Sequence, residues 1–288
     1  MTKKSKSARL SELIAQGCVM LPGVPNAAIA RQVERAGFDA VYISGAGMAN
    51  ATAGVPDIGL LSMAEVVRLA GYVASAVTIP AIVDADTGFG GAENVARTIR
   101  ELENAGLAGC HIEDQAFPKR CGHLAGKSVV DVDEMVGRIK AAVSARRDED
   151  FLIIARTDAR AVEDFDRAVE RARRYLKAGA DAIFPEALQN ADEFKAFGRE
   201  VKAPLLANMT EFGKSPLLSF DELAGLGYRM VIFPQSAFRV LMKVSEEFLH
   251  DLKKSGTQSG WIDKMQTREQ LYALLDYDPT AESWVGGC

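Results

Sequence analysis

Between Glu113 and His123 the chain gathers two carboxylates, two cations, a thiol and an imidazole, in the order Glu113-Asp114-Gln115-Ala116-Phe117-Pro118-Lys119-Arg120-Cys121-Gly122-His123. Lys119 and Arg120 precede the thiol and His123 follows two places on. Nearby positive charge should favour the thiolate and draw the pKa of Cys121 down. A cysteine so placed can exchange protons near neutral pH. Gly122 frees the backbone to take φ > 0 or to approach a ligand closely, so the segment reads as a loop. The plainer alternative is a solvated loop with an incidental cysteine, and the rest of the chain must decide between them.

Two further groups could do chemistry. Asp84 and Asp86 stand at i and i+2, a spacing that on an ideal strand turns both carboxylates to one side, and Asp57 and Glu113 could join them. Oxygen donors without a histidine nearby suit a hard cation such as Mg2+, which keeps several waters and borrows ligands from its substrate. The competing account is a pair of loop-capping carboxylates. Arg156 and Arg239 follow strand-like runs, and guanidinium groups grip carboxylates in bidentate fashion, so they imply a polyanionic small substrate. Arg268 reads first as a surface ion-pair residue. His111 reads as a buried, hydrogen-bonded histidine and His250 as exposed; Cys18 and Cys110 read as small core residues, and Cys288 as a free tail thiol.

What must hold these groups is legible as a period. Helical stretches end repeatedly on a small or apolar residue plus glycine, at Ala36-Gly37, Ala105-Gly106, Ala178-Gly179 and Leu226-Gly227, and each leads within a few residues into a short β-branched or apolar run. Eight such runs are present, at Cys18 to Leu21, Ala40 to Ile43, Ala81 to Val83, Gly109 to Ile112, Leu152 to Ala155, Ala182 to Phe184, Leu205 to Ala207 and Met230 to Phe233. Helical patterns such as Ala92 to Ala105, Val132 to Ala145, Asp164 to Ala178 and Ala191 to Val201 lie between them. Continuous apolar strands alternating with amphipathic helices predict a parallel α/β sheet, and eight units predict a closed (β/α)8 barrel. An open doubly wound sheet is the rival, but Ser44-Gly45-Ala46-Gly47 is only a partial match to the dinucleotide-binding glycine pattern.

In a barrel the chemistry sits at the carboxyl ends of the strands. Those ends are polar: Ser44, Asp84, Glu113, Arg156 to Asp158, Glu186, Asn208 to Thr210, and Gln235 with Arg239 beyond it. After the eighth unit come a helix from Phe238 to Leu252, a flexible link over Lys253 to Gly260 and a second amphipathic stretch from Trp261 to Leu275. We read residues 1–288 as one barrel domain with 238–288 as a C-terminal helical extension, which must pack on the barrel or on another subunit.

With 48% hydrophobic and 25% charged residues the chain can bury a large core, and its net charge of -5 offers no general attraction to nucleic acid or anionic membranes. The cysteines form no C-x-x-C pair. The basic start, Met1 to Ser7, is a frayed tail and not a signal peptide, and the run from Ala70 to Val83 is too interrupted to span a membrane. A reducing cytoplasm fits best.

These residues also carry a resemblance. Lys119-Arg120-Cys121-Gly122-His123 resembles the catalytic loop of the isocitrate lyase and phosphoenolpyruvate mutase superfamily, and Asp84-Ala85-Asp86-Thr87-Gly88-Phe89-Gly90 resembles its metal-binding segment. His111 to Gln115, Ala155 to Ala159, Phe184 to Ala187, Asn208 to Gly213 and Met265 to Arg268 are similar, in order and spacing, to the 2-methylisocitrate lyases within it. The match runs from about Gly17 to Tyr277. It implies a barrel whose last helix is exchanged between subunits, in a homotetramer, and a lyase dependent on Mg2+, or Mn2+ in its place. The implied reaction cleaves (2S,3R)-2-methylisocitrate to pyruvate and succinate in propionate breakdown by the methylcitrate cycle. Carried over by position, Asp84 and Asp86, with Asp57 and Glu113 nearby, would hold the metal. Ser44, Gly45, Ala46, Cys121, Gly122, Arg156, Glu186, Asn208, Thr210, Arg239 and Arg268 would bind a di- or tricarboxylate. Lys119, Arg120 and His123 would serve the catalytic loop, Cys121 would give a proton to a succinate enediolate, and Tyr42 would be the initial base, with Glu113 or metal-bound water as rivals. Ala46 departs from the glycine frequent in the family. Phe184, Ile232 and Pro234 would shape the room for the substrate methyl. The alternatives are a lyase or decarboxylase for isocitrate, 2,3-dimethylmalate or oxaloacetate, and a non-catalytic barrel that only binds a carboxylate.

Overall fold

The computed structural model describes residues 4–124 and 126–281. Eight parallel strands follow one another: β1 (Val19–Pro22), β2 (Val41–Ile43), β3 (Ala81–Asp84), β4 (Gly109–Glu113), β5 (Leu152–Thr157), β6 (Ala182–Pro185), β7 (Leu206–Asn208) and β8 (Met230–Phe233). Strands β2 to β6 pair in order, and β1, β8 and β7 form a second run. Single bridges, Gly23 to Tyr42 and Ile183 to Leu205, join the two runs and complete the ring.

The helices in chain order are α1 (Lys6–Gln16), α2 (Ala27–Arg35), α3 (Gly45–Met48), α4 (Met63–Ala76), α5 (Ala92–Asn104), α6 (Val132–Ala145), α7 (Ala159–Val162), α8 (Phe165–Lys177), α9 (Ala191–Glu200), α10 (Phe220–Gly225), α11 (Ser236–Ser255) and α12 (Arg268–Leu274). Local chemistry sets their ends. Ser62 with Glu65 and Ser219 with Glu222 form reciprocal capping boxes at α4 and α10. At the other ends Gly37, Gly106, Gly179 and Gly227 all take positive φ, as the repeated glycine predicts for helix exits.

Side-chain alternation builds two apolar layers. Tyr42, Ile82, Ile154, Phe184, Leu206 and Ile232 share one buried cluster inside the ring, while Val41, Ile43, Val83, Ile153, Ile183 and Val231 belong to the layer between strands and helices. Leu10 and Ile14 of α1 join the inner cluster and so plug the amino-terminal end of the barrel. The open end is left to polar residues. Two places along, on β3, β5, β6 and β7, the inward position that is apolar in mid-strand becomes chemical: Ile82 gives way to Asp84, Ile154 to Arg156, Phe184 to Glu186 and Leu206 to Asn208, while on β4 the buried His111 is followed by Glu113.

Several expectations are corrected. Residues 6 and 7 are not a frayed tail, because Ser5 caps α1 through the Ala8 N–H and Ser7 is buried. The presumed flexible link begins later, since α11 runs on to Ser255 and ends at Gly256 in the left-handed region. The stretch from Trp261 to Leu275 is not one helix: a 3-10 turn covers Ser259–Lys264, and Thr267 opens α12 with its own capping box to Gln270. Cys288 lies outside the described residues. None of the twenty residues of α11 is buried, and among the described residues no helix is long and apolar enough to cross a membrane.

Candidate active site

A cavity of about 250 Å3 opens at the carboxyl end of the ring. Tyr42, Ser44, Ala46, Asp57, Asp84, Cys121, Gly122, His123, Arg156, Glu186, Asn208, Thr210 and Arg239 line it, so residues nominated from distant parts of the sequence meet in one place. Phe184 and Pro234 give it an apolar wall, whereas Ile232 lies below in the barrel core. Asn50, Pro56 and Gln235 complete the lining. Of these, Asn50 and Pro56 carried no sequence signal, Asn50 lying in a π-helical turn (Ala49–Ala53) that follows α3 and Pro56 in the loop after it; Gln235 is tied to Asn50 by an amide hydrogen bond of 3.3 Å.

Arg156 forms the charged wall. Its Nε and Nη2 donate to the two oxygens of Asp158 at 2.9 and 3.2 Å, Nη2 also lies 3.2 Å from Glu186, and the guanidinium stacks over Phe184. The pairing follows from register, because Glu113, Arg156 and Phe184 are neighbours across β4, β5 and β6. Behind this wall Asp114 accepts from the Thr157 hydroxyl, the Asp158 N–H and the Tyr175 hydroxyl at 2.7 to 2.8 Å, fixing the strand end from the core.

The thiol loop is seated on the barrel mouth. Lys214 N–H donates to Nδ1 of His123 at 2.9 Å, so Nδ1 carries no proton and Nε2 must be the donor to Glu186, also at 2.9 Å. Gly122 is there for closeness and not for a left-handed backbone: a Cβ at this position would lie 2.3 Å from Nη2 of Arg156 and 2.5 Å from Cγ of Glu186. Lys119 is 3% exposed, with its ammonium 2.5 Å from Asp57 and 2.6 Å from Asp86.

Those contacts overturn the expected thiol chemistry. Lys119 points away to two carboxylates and Arg120 lies on the outer side of the loop, its backbone bonded to the Gln115 amide. Burial dominates at Cys121 and raises its pKa above the usual thiol value, although the His123 N–H works in the other direction. The thiol is held as S–H.

The two aspartates do not share a strand face. β3 ends at Asp84, and Asp86 sits beyond it at φ 47°, with its N–H donating to Oδ1 of Asp84 at 2.9 Å. Burial works against charge at both; at Asp84 nearby positive charge, from His111 only where it is protonated and from Lys119 and Arg156 throughout, prevails with the Asp86 N–H and holds the pKa below the usual carboxylate value, whereas Asp86 is pushed up to about 6. Gly45, at the back of the site, leaves room for the Asp84 carboxylate, since a Cβ would lie 2.8 Å from Oδ2. Among the described residues no three acidic, histidine or cysteine side chains converge to hold an ion alone. The donors present fit a hard cation whose sphere is completed by water and substrate oxygens, with ionised Asp84 facing the cavity and Asp57 and Asp86 beside it, now bridged by Lys119.

The two nominated bases also separate. Glu113 is buried behind Arg156, 3.2 Å from its Nε with neither oxygen in a hydrogen bond, and burial raises its pKa well above the carboxylate range. Tyr42 lines the cavity, its hydroxyl 2.9 Å from Nε2 of His111. His111 is buried, as expected, and burial lowers its pKa to about 4, so it is neutral. Arg268 is exposed at the start of α12 and does not line this cavity.

The profile of the phosphoenolpyruvate phosphomutase family matches residues 10–253. A 2-methylisocitrate lyase of Aeropyrum pernix is 52% identical over 269 residues, covering 93% of this chain and 86% of that protein. The crystal structure of 2,3-dimethylmalate lyase superposes with a TM-score of 0.90 at 36% identity, covering 94% of this chain and 92% of that one. Phosphonopyruvate hydrolase, solved with oxalate and Mg2+, gives a TM-score of 0.86 at 31% identity over 94% and 95% of the two chains.

Proposed function

The chain belongs to the phosphoenolpyruvate mutase and isocitrate lyase superfamily, in its 2-methylisocitrate lyase family, and from that premise we propose that this carbon–carbon lyase cleaves (2S,3R)-2-methylisocitrate to pyruvate and succinate with the help of Mg2+. The observation that carries the reading is the meeting of Cys121, as a protonated thiol, with Asp84, Tyr42 and Arg156 around one small cavity. Asp84, with Asp57 and Asp86, would hold the ion, directly or through water. When bound, it supplies positive charge for the substrate's hydroxyl and carboxylate oxygens.

Arg156 meets one substrate carboxylate in a dry wall where its charge is little screened, Arg239 waits at the rim for another, and Asn208 and Thr210 offer polar contacts. Tyr42 takes the substrate hydroxyl proton as its own passes to Nε2 of His111. The C2–C3 bond breaks, pyruvate forms, and the electron pair stays on the succinate carbon as an enediolate. Cys121 then delivers its proton to that carbon, which is why a thiol held neutral serves better than a thiolate. The residues touching the loop exclude water while the carbanion exists.

Phe184 and Pro234 give the substrate methyl an apolar surface, a contact worth about 1–3 kcal/mol against isocitrate. The exposed face of α11 would pass to a partner chain, in keeping with a helix-exchanged homotetramer of a cytoplasmic enzyme serving propionate breakdown. The test is pyruvate or glyoxylate release from 2-methylisocitrate, isocitrate, 2,3-dimethylmalate and oxaloacetate, with Mg2+ and again after EDTA. Pyruvate from 2-methylisocitrate that stops with EDTA and returns with Mg2+ is expected. Turnover of another acid in the panel, with 2-methylisocitrate inert, would sink the assignment.

A further inference from the structure

Two lysines bracket Cys121 in the chain, Lys119 and Lys127, and only the first is in the pentapeptide Lys119 to His123. Lys127, on the returning limb of the thiol loop, has a side chain only 2% exposed. A buried ammonium is costly unless it is paired and hydrogen-bonded, and this one meets two acceptors, the Gly122 carbonyl and a carboxylate oxygen of Asp158. Asp158 is the fully buried residue that also grips Arg156 through two hydrogen bonds, and its own backbone is pinned by Asp114. One side chain thus links the residue beside the thiol to the support of the substrate-facing arginine.

The charge balance gives this link a consequence. Arg156 faces the carboxylates of Asp158, Glu186 and Glu113. With Lys127 seated, a second cation shares Asp158 with Arg156. Lifting the loop withdraws Lys127 and leaves Arg156 alone between Asp158 and Glu186. The wall then loses one positive charge and draws an anionic substrate less strongly.

We propose that Lys127 is a positioning residue that latches the thiol loop through the Gly122 carbonyl and, by taking up Asp158, leaves the charge of Arg156 available to a substrate carboxylate. The second half rests on the proposed cleavage of a tricarboxylate; the first, the latch itself, does not depend on any substrate.

Lys127→Met and Lys127→Arg in the full chain test both halves. Without substrate, alkylation by iodoacetamide is followed at the Cys121 peptide by mass spectrometry, so that Cys18, Cys110 and Cys288 do not contribute. Losing a charge-assisted contact that seats a loop should speed alkylation of the Met variant by about tenfold. A change in the thiol's charge state cannot mimic this, since removing a cation disfavours the thiolate and slows the reaction. With 2-methylisocitrate, kcat of the Met variant should fall about 100-fold, the effect of roughly 1 Å of misplacement, with KM raised as well. The Arg variant, keeping charge and donors, should recover at least about a tenth of the activity. Lys127→Gln, which keeps a donor but no charge, repeats the alkylation arm should the Met variant not fold. Alkylation at the wild-type rate in the neutral variants overturns the latch whatever their activity, and an unchanged kcat/KM overturns the effect on Arg156. A wild-type protein inert toward 2-methylisocitrate would instead count against the cleavage reading, with alkylation still deciding the latch.

Discussion

Adding one methyl group at Gly122 should disable the site while leaving the fold intact. In Gly122→Ala the new Cβ would stand 2.3 Å from Nη2 of Arg156, 2.5 Å from Cγ and 2.8 Å from Cδ of Glu186, so something must move by about 1 Å to restore ordinary van der Waals contact. Arg156 cannot yield, because Asp158 holds it by two hydrogen bonds and both residues are buried. Glu186 is fixed by Arg156 and by His123. The loop is the softer element, and it will lift. Forcing such an overlap typically costs about 1–3 kcal/mol, and here it is relieved by displacing Cys121 from its seat instead of unfolding the barrel. A displacement of that size at the proton donor should lower kcat/KM by about 100-fold, read from pyruvate release coupled to lactate dehydrogenase, while the melting temperature shifts by less than about 3 °C. Gly137→Ala is the control: its Cβ meets nothing within 4 Å inside α6, and it should gain about 0.5–1 kcal/mol from reduced backbone entropy with full activity. A Gly122→Ala enzyme within about threefold of wild type would refute the close packing of loop on Arg156 as a requirement for turnover.

Three further outcomes are expected. Cys121→Ser, which keeps the shape but offers a far weaker acid, should lose nearly all turnover while substrate still protects the protein against thermal unfolding; substantial activity would remove the thiol from the proton transfer. His111 ties stability to pH: its pKa falls from 6.5 to about 4 on burial, so its contribution is intact above pH 6.5 and is lost as the pH drops toward 4, about 3 kcal/mol in all. Urea midpoints at pH 7 and 4.5 should therefore converge in His111→Asn relative to wild type, and an equal loss in both proteins would contradict the assignment. On α11, Val240, Leu241, Met242, Val244 and Leu249 are 45–63% exposed, so Leu241→Glu should shift the assembly to smaller species in analytical ultracentrifugation, and an unchanged sedimentation profile would show that this face is not covered by a second copy.

Much of the fold is legible because barrel strands and helix exits leave local marks. The glycines at Gly37, Gly106, Gly179 and Gly227 announce helix ends through a backbone conformation other residues resist. Apolar runs locate the strands, yet they stop short where β4 and β5 continue into Glu113 and Arg156-Thr157. There the inner face of the barrel turns polar, and a polar residue inside a strand looks in sequence like the end of one. The break before α12 was available in principle, since Thr267 with Gln270 is a capping box. An amphipathic period across Trp261 to Leu275 concealed it.

The site shows a different limit. Side chains adjacent in sequence share a charge environment only if they point the same way, and in a loop nothing enforces that. Lys119 and Arg120 flank Cys121 in the chain, but one reaches Asp57 and Asp86 and the other faces outward, so burial and not the neighbouring cations decides the state of the thiol. Lys127 shows the converse, six residues from Cys121 and unmarked by any motif, yet joined to the Gly122 carbonyl. The corrected state also fits the proposed reaction better than the expected one. A thiolate at rest would have to acquire a proton before it could quench a carbanion in a closed cavity from which water is excluded, whereas a thiol raised above its usual pKa enters the reaction already carrying it. What the lysines contribute is then position: Lys119 pairs with Asp86 and Lys127 with Asp158, and the proton that Lys119 and Arg120 were expected to draw off stays where the proposed chemistry needs it.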